Sequence, residues 1–320
     1  MEKVKIAVVG AGPAGIACGV EAKVNNIEPV VIFEKAQHIC DTIQRLYRAG
    51  KRVDAVYRGV DVEPVGICRF DTESKEEFLK RMENFVKDYN LNIQLKSEVN
   101  KITKVDDGYE ITVNWEPKYI ADFVIIAIGI FGQPNRPSYP IPKEAKSRVF
   151  LEPPTSPLSG KILVVGGGDT AAEVACFMCD CAAEVSLSYR RPQFFRINPV
   201  NLQNLEERAK AGKINLMMAT DIEKIEGAGD KVKVYFKDGK EELYDYICYC
   251  LGGTSPKGFL RQVGVELDEE ERPVIDEYFE VKNMPKVFLA GDIGVKKGSI
   301  LLAFNTAHIV IERIKEKYLK

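Results

Sequence analysis

The sequence predicts an α/β protein built from two Rossmann-like dinucleotide-binding domains. The chain has 320 residues, which is more than one hydrophobic core usually organises. A strand, a glycine-rich turn, a helix and a second strand follow one another at its start. The same succession returns near the middle of the chain. Each such βαβ unit places its turn at the carboxyl end of a parallel sheet, where nucleotides bind.

Composition excludes several classes of protein. Apolar residues make up 45% of the chain and charged residues 29%, as in globular proteins. Lys and Arg number 45 and Asp and Glu 47, so the net charge of −2 does not favour general attraction to nucleic acid. We expect no membrane span and no secretory signal. Eight cysteines, several in apolar segments, favour reduced thiols in a cytoplasmic protein.

Hydrophobic runs and glycines predict the elements of the first unit. Residues 3–9 form a strand, 13–25 a helix and 29–34 a second strand. Further along we expect a helix at 72–90 and strands at 92–104, 109–115 and 120–128. The proline-rich stretch 132–157 predicts an extended connection, because proline restricts its own backbone and that of its predecessor.

The second unit repeats the opening pattern. Strands at 161–165 and 184–189 flank a helix at 169–181. A hairpin is expected within 227–239. Later elements are strands at 244–251 and 285–290 and a closing helix at 299–317.

The first glycine motif is Gly10-Ala11-Gly12-Pro13-Ala14-Gly15. Its first glycine permits a tight turn, its second lets the backbone approach a pyrophosphate, and its third lets the helix pack on the strand. The helix N-terminus adds N–H groups for the phosphates. Glu34 ends the second strand and can accept the ribose hydroxyls of an adenosine. Together these features favour a dinucleotide site over a simple tight turn.

The second motif is Gly166-Gly167-Gly168-Asp169-Thr170-Ala171. Its second strand ends at Tyr189-Arg190-Arg191, and Arg196 follows. Guanidinium groups bind phosphate oxygens through paired hydrogen bonds, so this site is expected to prefer NADPH to NADH. The alternative is a solvated arginine cluster. The predicted NADPH contacts are Gly166, Gly168, Asp169, Thr170, Ala171, Arg190, Arg191 and Arg196.

Two sites of different charge predict a flavoprotein with two cofactors. FAD would bind at the acidic site and NADPH at the arginine site. Hydride then passes from the nicotinamide to the flavin, which is itself the catalyst. No side chain is predicted as a catalytic acid or base, and no metal site is expected.

Over essentially the whole chain, the pattern resembles the thioredoxin-reductase-like flavoproteins. Ala127-Ile128-Gly129, Tyr189-Arg190-Arg191 and Ala290-Gly291-Asp292 correspond to motifs of that family. The resemblance implies three-layer ββα domains, with an NADPH domain at 130–250 inserted into an FAD domain at 1–129 and 251–320. It also implies a homodimer. The FAD contacts it implies are Gly10, Gly12, Pro13, Ala14, Gly15, Glu34, Lys35, Val99, Ala127, Gly129, Gly291, Asp292 (to the ribityl chain), Ser299 and Ile300 (to the flavin pyrimidine edge).

The chain departs from thioredoxin reductases at the redox dithiol. Those enzymes carry Cys-x-x-Cys shortly before the second glycine motif, whereas residues 148–160 here contain no cysteine. Cys176 and Cys179 have the spacing but lie in the middle of the following helix. Reactive dithiols favour helix N-termini, so we interpret this pair as packing.

One subgroup is more similar. Residues 46–54 (Leu-Tyr-Arg-Ala-Gly-Lys-Arg-Val-Asp), 132–137 and 195–198 resemble segments of flavodoxin:quinone reductases of the thioredoxin-reductase type. Ferredoxin–NADP reductases of this fold and bacillithiol disulfide reductases also lack the dithiol. The resemblance implies flavodoxin, ferredoxin or a quinone as acceptor. Two alternatives remain: a low-molecular-weight disulfide reductase, of the bacillithiol type or thioredoxin-like, and a flavin-binding redox sensor with slow turnover.

A basic cluster accompanies the first of these segments. It consists of Arg45, Arg48, Lys51, Arg52 and Arg58. Flavodoxins and ferredoxins are typically acidic, so this cluster could steer their docking. A solvated loop, or arginines that contact the FAD phosphates, would explain it equally well.

Overall fold

The computed structural model describes residues 1–55, 62–130, 132, 134–181, 183–253, 256–296 and 298–319. Its contacts divide the chain into two units. The first comprises Met1–Arg45, Gly50–Gly132 and Ser255–Lys320, and the second comprises Leu46–Ala49 and Gln133–Thr254. The main stretch of the second unit, Gln133–Thr254, begins and ends a few residues later than the expected 130–250. The segment Leu46–Ala49 differs from expectation, because it groups with the second unit and not the first.

The elements are numbered in chain order. Up to the proline-rich stretch they are β1 (Glu2–Val9), α1 (Pro13–Val24), β2 (Val30–Phe33), α2 (Asp41–Leu46), β3 (Arg52–Val53), β4 (Glu73–Ser74), α3 (Lys75–Asp88), β5 (Ile93–Gln94), β6 (Val99–Val105), β7 (Gly108–Val113), β8 (Glu116–Ile126) and β9 (Val149–Phe150). Beyond it they are β10 (Lys161–Val165), α4 (Asp169–Asp180), β11 (Glu184–Tyr189), α5 (Pro199–Lys210), β12 (Ile214–Met218), β13 (Ile222–Ala228), β14 (Lys231–Phe236), β15 (Glu241–Tyr244), β16 (Tyr246–Tyr249), α6 (Lys257–Gln262), β17 (Val287–Leu289) and α7 (Ile300–Tyr318).

The main sheet of the first unit has the strand order β5-β2-β1-β8-β7-β6, and β17 pairs with β8. Strands β1, β2, β8 and β17 run parallel. Val9 lies opposite Phe33 and Ile126, and Ile126 lies opposite Leu289. The four strands therefore end level with one another. This register delivers the chain that follows each strand to one edge of the sheet, where α/β proteins bind their ligands.

Helix α1 covers this sheet and is buried along most of its length. Its small residues make the burial possible. A Cβ atom on Gly19 would lie only 2.8 Å from Cδ1 of Ile32, so glycine allows the helix to pack closely on β2. Helix α7 packs beside α1 and buries Phe304, Ala307 and Ile311. Burial of apolar side chains on both sides of the sheet explains the continuous apolar sequences of its parallel strands.

The second unit repeats the arrangement with a parallel sheet of order β12-β11-β10-β16-β9. Val165 lies opposite Ser188 and Tyr249, so β10, β11 and β16 also end level. A separate antiparallel sheet, β13-β14-β15, packs through Val232, Val234 and Phe236 into the apolar core of this unit.

Both predicted βαβ units are confirmed, and β10 and β11 have the predicted bounds. Other expectations were wrong in detail. The strand predicted at 92–104 is two strands, because the chain turns at Lys96, where φ is +53°. The strand predicted at 244–251 divides at Asp245 into β15 and β16. The stretch 132–157 contains a 3₁₀ helix, Lys143–Arg148, and strand β9. Among the described residues, no helix is long and apolar enough to cross a membrane.

Candidate dinucleotide-binding sites

The first glycine turn is held by backbone contacts that leave no space for side chains. Gly10 has φ of +107°, and a Cβ there would approach the Ala127 carbonyl oxygen to 2.6 Å. A Cβ on Gly15 would lie 1.9 Å from the Gly10 carbonyl oxygen. Either alanine would force the backbone apart. The turn after β1 therefore depends on glycine at both positions.

Gly12 has the opposite surroundings. A Cβ at this position would meet nothing within 4 Å. Gly12 is the N-cap residue of α1, and Pro13 starts the helix. No side chain accepts a hydrogen bond from the N-terminal N–H groups of this helix at the cap. Open space beside an uncapped helix N-terminus fits a pyrophosphate, because backbone N–H groups and the helix dipole both favour an anion there.

Glu34 lies directly beside this turn. Its Oε2 accepts a hydrogen bond of 2.9 Å from the Ala11 N–H, and its Oε1 accepts one of 2.9 Å from the Ala36 N–H. These two amides hold the carboxylate in place. Each carboxylate oxygen has a second lone pair, so Glu34 can still accept the two hydroxyls of a ribose.

Segments far apart in sequence meet at this edge of the sheet. The Ala127 N–H donates to the Val9 carbonyl at 2.8 Å. The Gly291 N–H donates to Thr306 Oγ1 at 2.7 Å, and a Cβ on Gly291 would lie 2.8 Å from the Ala14 Cβ. Sequence analysis missed Thr306, whose fully buried hydroxyl anchors the Gly291-Asp292 segment to α7.

The remaining residues predicted to contact FAD differ in their exposure to solvent. Ser299 caps α7 by accepting from the Leu302 N–H, so Ile300 is the first residue of that helix. Val99 is buried opposite Val113, whereas Lys35 is exposed. Gly129 follows β8 three residues after its end.

Asp292 is an unusual ionisable group at this edge. Burial raises the pKa of its carboxyl group to about 6. Among the described residues no hydrogen bond to this carboxylate is found. A Cβ on Gly298 would lie 2.0 Å from its Oδ1, so the neighbouring chain passes close to it. A desolvated carboxylate with no partner among the described residues fits a ligand that brings hydroxyl groups.

The second glycine turn is built like the first. A Cβ on Gly166 would lie 2.4 Å from the Cys250 carbonyl oxygen, whereas a Cβ on Gly168 would meet nothing within 4 Å. Gly168 caps α4 without a side-chain hydrogen bond. Ala171, in the first turn of α4, replaces the third glycine and lies 3.2 Å from the position of that Gly166 Cβ. This turn therefore has the same open space at Gly168 as the first turn has at Gly12.

The structure brings the predicted arginines to this turn. Arg190, Arg191 and Arg196 are exposed and follow β11. Arg196 forms an isolated parallel bridge with Gly168. The guanidinium carbons of Arg191 and Arg196 lie 4.5 Å and 5.2 Å from the ring centroid of Phe195. Thr170 is exposed at the start of α4.

The Asp169 side chain anchors this loop. Its Oδ1 accepts hydrogen bonds from the Asn198 N–H and the Asn198 Nδ2, both at 2.7 Å, and from Asn201 Nδ2 at 3.2 Å. Asn198 in turn caps α5 by accepting from the Asn201 N–H. Sequence analysis did not identify Asn198 as part of the site, although Asn-Pro before a helical pattern is a recognisable start signal.

The cysteines of α4 do not have the properties of a redox pair. Cys176 is half-buried and Cys179 is buried. Burial raises the pKa of both thiols, that of Cys176 to about 11. Because the thiolate is the nucleophile, these raised pKa values disfavour reaction of either thiol at neutral pH. This supports the interpretation of the pair as packing.

The basic cluster is partly neutralised. Arg45 pairs with Asp41 at 3.1 Å, and Arg52 pairs with Asp54 at 2.6 Å. The Arg48 guanidinium lies 4.9 Å from the ring centroid of Phe177 in the second unit, to which Arg48 belongs. Arg58 lies outside the described residues.

These sites define a protein that binds two nucleotides on two related domains. The family model described as pyridine nucleotide-disulphide oxidoreductase matches residues 7–291. The chain therefore belongs to the pyridine nucleotide-disulphide oxidoreductase family. The expectation of an oxidoreductase that uses a pyridine nucleotide is confirmed.

Relatives and solved structures cover nearly the whole chain. The chain is 28% identical to ferredoxin–NADP reductase 1 of Christiangramia forsetii, over 98% of this chain and 88% of the relative. It is 29% identical to a ferredoxin–NADP reductase of Ignicoccus hospitalis, over 94% of each chain. A bacillithiol disulfide reductase of Staphylococcus aureus matches with a TM-score of 0.82 at 21% identity, over 99% of this chain and 100% of that chain. A thioredoxin reductase of T. acidophilum matches with a TM-score of 0.75 at 21% identity, over 100% of both chains. These structures confirm the thioredoxin-reductase-like fold.

The raised pKa of Asp292 predicts a pH-dependent effect on stability. Between its ordinary value of 3.8 and about 6, the folded protein holds a proton that the unfolded chain has lost. Stability therefore falls as pH rises through this window. In the ligand-free protein, we expect Asp292→Asn to raise the free energy of unfolding by about 2 kcal/mol at pH 7.5, and by much less at pH 4.

Urea unfolding at the two pH values measures this difference. Glu269→Gln, at an exposed carboxylate of the same unit, is the matched control and should change stability little at either pH. An equal gain from Asp292→Asn at both pH values would contradict the prediction, because desolvation of the charged form acts only at the higher pH.

Proposed function

We propose that the protein is an NADPH-dependent FAD oxidoreductase that passes electrons to a one-electron carrier of the ferredoxin or flavodoxin type. The observation that carries this proposal is the contrast between its two glycine turns. Both have the same backbone arrangement and the same open space, at Gly12 and Gly168. One lies beside the Glu34 carboxylate and the other beside three exposed arginines.

FAD binds at the first turn. The open space at Gly12 and the N-terminus of α1 receive its pyrophosphate, and Glu34 accepts the adenosine ribose hydroxyls. Asp292 would accept hydroxyls of the ribityl chain, a partner that its largely desolvated carboxylate does not find among the described residues. The first N–H groups of α7, at Ile300, would hold the flavin edge.

NADPH binds at the second turn. Gly168 and the N-terminus of α4 receive its pyrophosphate. Arg190, Arg191 and Arg196 provide positive charge and several N–H donors for a 2′-phosphate, which NADH lacks. Ala171 in place of a third glycine is compatible with this fit, because its methyl group lies in ordinary packing.

When bound, the flavin accepts hydride from the nicotinamide and can release the electrons singly. The chain's own groups bind and orient. No thiol of α4 is poised to take the electrons onward, because burial keeps both protonated. A one-electron carrier is therefore the acceptor we favour, and the ferredoxin–NADP reductases among the relatives agree with this choice. A quinone is a further acceptor that this chemistry allows, and we propose a homodimer as the assembly.

A structural similarity bears on the alternative that the protein is a disulfide reductase. The bacillithiol disulfide reductase has the same fold at 21% identity, which bears on architecture alone. A slow redox sensor differs from both enzymes in turnover. Acceptor assays separate the three.

Alanine at the two open glycines should separate the two sites. Gly12→Ala is expected to fold normally but to fill the space for the FAD pyrophosphate, so the protein purifies with at least about tenfold less flavin. Gly168→Ala should keep its flavin and lose affinity for NADPH by a similar factor. Flavin absorbance and isothermal titration with NADP⁺ measure the two effects. If Gly168→Ala lost flavin and Gly12→Ala kept it, the assignment of the two cofactors would be reversed.

An anaerobic NADPH titration tests whether the flavin is the sole redox centre. We expect full loss of the oxidised flavin absorbance after about two electrons per FAD, since a flavin takes up a hydride pair. The double variant Cys176→Ser/Cys179→Ser serves as control and should titrate identically. Consumption of about four electrons by the parent, and two by the variant, would establish a working dithiol and favour disulfide reduction.

Steady-state assays with ferredoxin, flavodoxin, a quinone and bacillithiol disulfide identify the acceptor. We expect fast NADPH oxidation with an acidic carrier, weakened by salt because charge steers the encounter. Arg45→Gln/Arg52→Gln should raise KM for the carrier several-fold at low ionic strength and leave kcat unchanged. Lys80→Gln, at an exposed lysine of α3, is the matched control. Rapid turnover with the disulfide alone would overturn the carrier function, and slow turnover with every acceptor would favour a sensor.

A further inference from the structure

A large aromatic side chain is exposed at the second turn. Phe195 has 54% of its surface accessible, in a loop otherwise rich in charge. The same ring lies within cation–π distance of two guanidinium groups, those of Arg191 at 4.5 Å and Arg196 at 5.2 Å. Burial in a core therefore does not explain this phenylalanine, whereas its contacts with the two cations do.

We propose that Phe195 is a positioning residue that sets cofactor specificity, by holding Arg191 and Arg196 together for one phosphate group. This inference rests on the proposed NADPH site and adds to it a residue that would not touch the nicotinamide or the pyrophosphate. The ligand class is a nucleotide with a phosphate on its 2′-hydroxyl.

Two guanidinium groups near one another repel, and both are long side chains that lose rotamer freedom when a ligand orders them. The negative face of an aromatic ring attracts each cation and limits its rotation. Phe195 thus restricts the two guanidinium groups before the ligand binds. Less conformational entropy is then lost when the phosphate site forms.

The ring itself is held by its neighbours. Phe195 lies 6.4 Å from Tyr189 in a tilted arrangement, and Tyr189 stacks on Phe194 at 5.4 Å with an interplanar angle of 10°. Tyr189 also lies against the phosphate turn, since a Cβ on Gly167 would come within 2.1 Å of its ring. The aromatic group is therefore fixed relative to the backbone that receives the pyrophosphate.

The loop is anchored on the other side of Phe195 as well. Arg196 bridges to Gly168, and Asn198 donates two hydrogen bonds to Asp169 at the start of α4. Phe195 lies between these anchors and the end of β11. Its ring is therefore held close to both arginines.

The ring is expected to favour nucleotides with a 2′-phosphate over those with a plain 2′-hydroxyl. A 2′-phosphate carries close to two negative charges and can pair with both guanidinium groups. A nucleotide with a plain 2′-hydroxyl gains little from their spacing. Loss of the ring should therefore weaken binding of the phosphorylated ligand alone. If the ring instead stacked on the adenine, its loss would weaken both ligands equally.

The test measures binding to the flavin-loaded enzyme by isothermal titration with 2′,5′-ADP and 5′-ADP. We expect Phe195→Leu to weaken 2′,5′-ADP about three- to tenfold, consistent with loss of exposed cation–π contacts. Its affinity for 5′-ADP should stay within about twofold of the parent. Phe195→Tyr keeps the ring and should keep the parent's preference. Since the side chain is half exposed, both variants should fold, and thermal melting verifies this.

A third variant separates this inference from the proposed function. Arg191→Gln/Arg196→Gln should abolish the preference for 2′,5′-ADP. If it does not, the proposed NADPH site itself fails. If the arginine variant loses the preference for 2′,5′-ADP but Phe195→Leu keeps it, only the role of Phe195 is overturned. Equal weakening of both ligands by Phe195→Leu would likewise overturn the positioning role, in favour of stacking on the base.

Discussion

The close approach of backbone to backbone at Gly10 is the constraint on which the first site depends. Its neighbour is the carbonyl of Ala127, at the end of β8, and Gly15 in turn packs on the Gly10 carbonyl. These contacts bring the end of β1, the start of α1 and the end of β8 together. Because the four parallel strands end level, Glu34 and Gly291 arrive at the same edge. One tight turn therefore determines where the pyrophosphate, ribose and ribityl groups of a flavin nucleotide can lie.

The second unit uses the same construction with different chemistry. Gly166 approaches the Cys250 carbonyl as Gly10 approaches that of Ala127. What differs is the chain after the second strand, which brings a carboxylate in one unit and guanidinium groups in the other. The fold supplies a general nucleotide cradle, and a few residues at one strand end decide which nucleotide it accepts. Duplication of the cradle followed by change at that position would explain how one chain comes to suit two cofactors.

Local pattern predicted the parts of this protein that depend on local physics. Apolar runs closed by glycine located β1 and β10, because buried parallel strands have largely apolar sequences. The resemblance added Asp292 and Ile300, which no local pattern would identify. Thr306 could not be predicted, since its role arises only when α7 packs beside the Gly291 backbone. The positioning role that we propose for Phe195 was equally hidden, because its contacts depend on how the loop after β11 folds back to Gly168.

The state of the thiols connects the structure to the choice of acceptor. A helix N-terminus would lower a thiol pKa, but Cys176 and Cys179 lie in the second half of α4, where burial raises it. The N-terminus of α4 instead follows the turn at Gly168, where we propose that the NADPH pyrophosphate binds. A helix whose N-terminus binds a nucleotide phosphate cannot also activate a thiol there. Neither Cys176 nor Cys179 is therefore suited to receive electrons from a flavin, which agrees with the external acceptor that we propose. That proposal is why the basic residues around Arg45 and Arg52, and not the cysteines, are where we look for the partner.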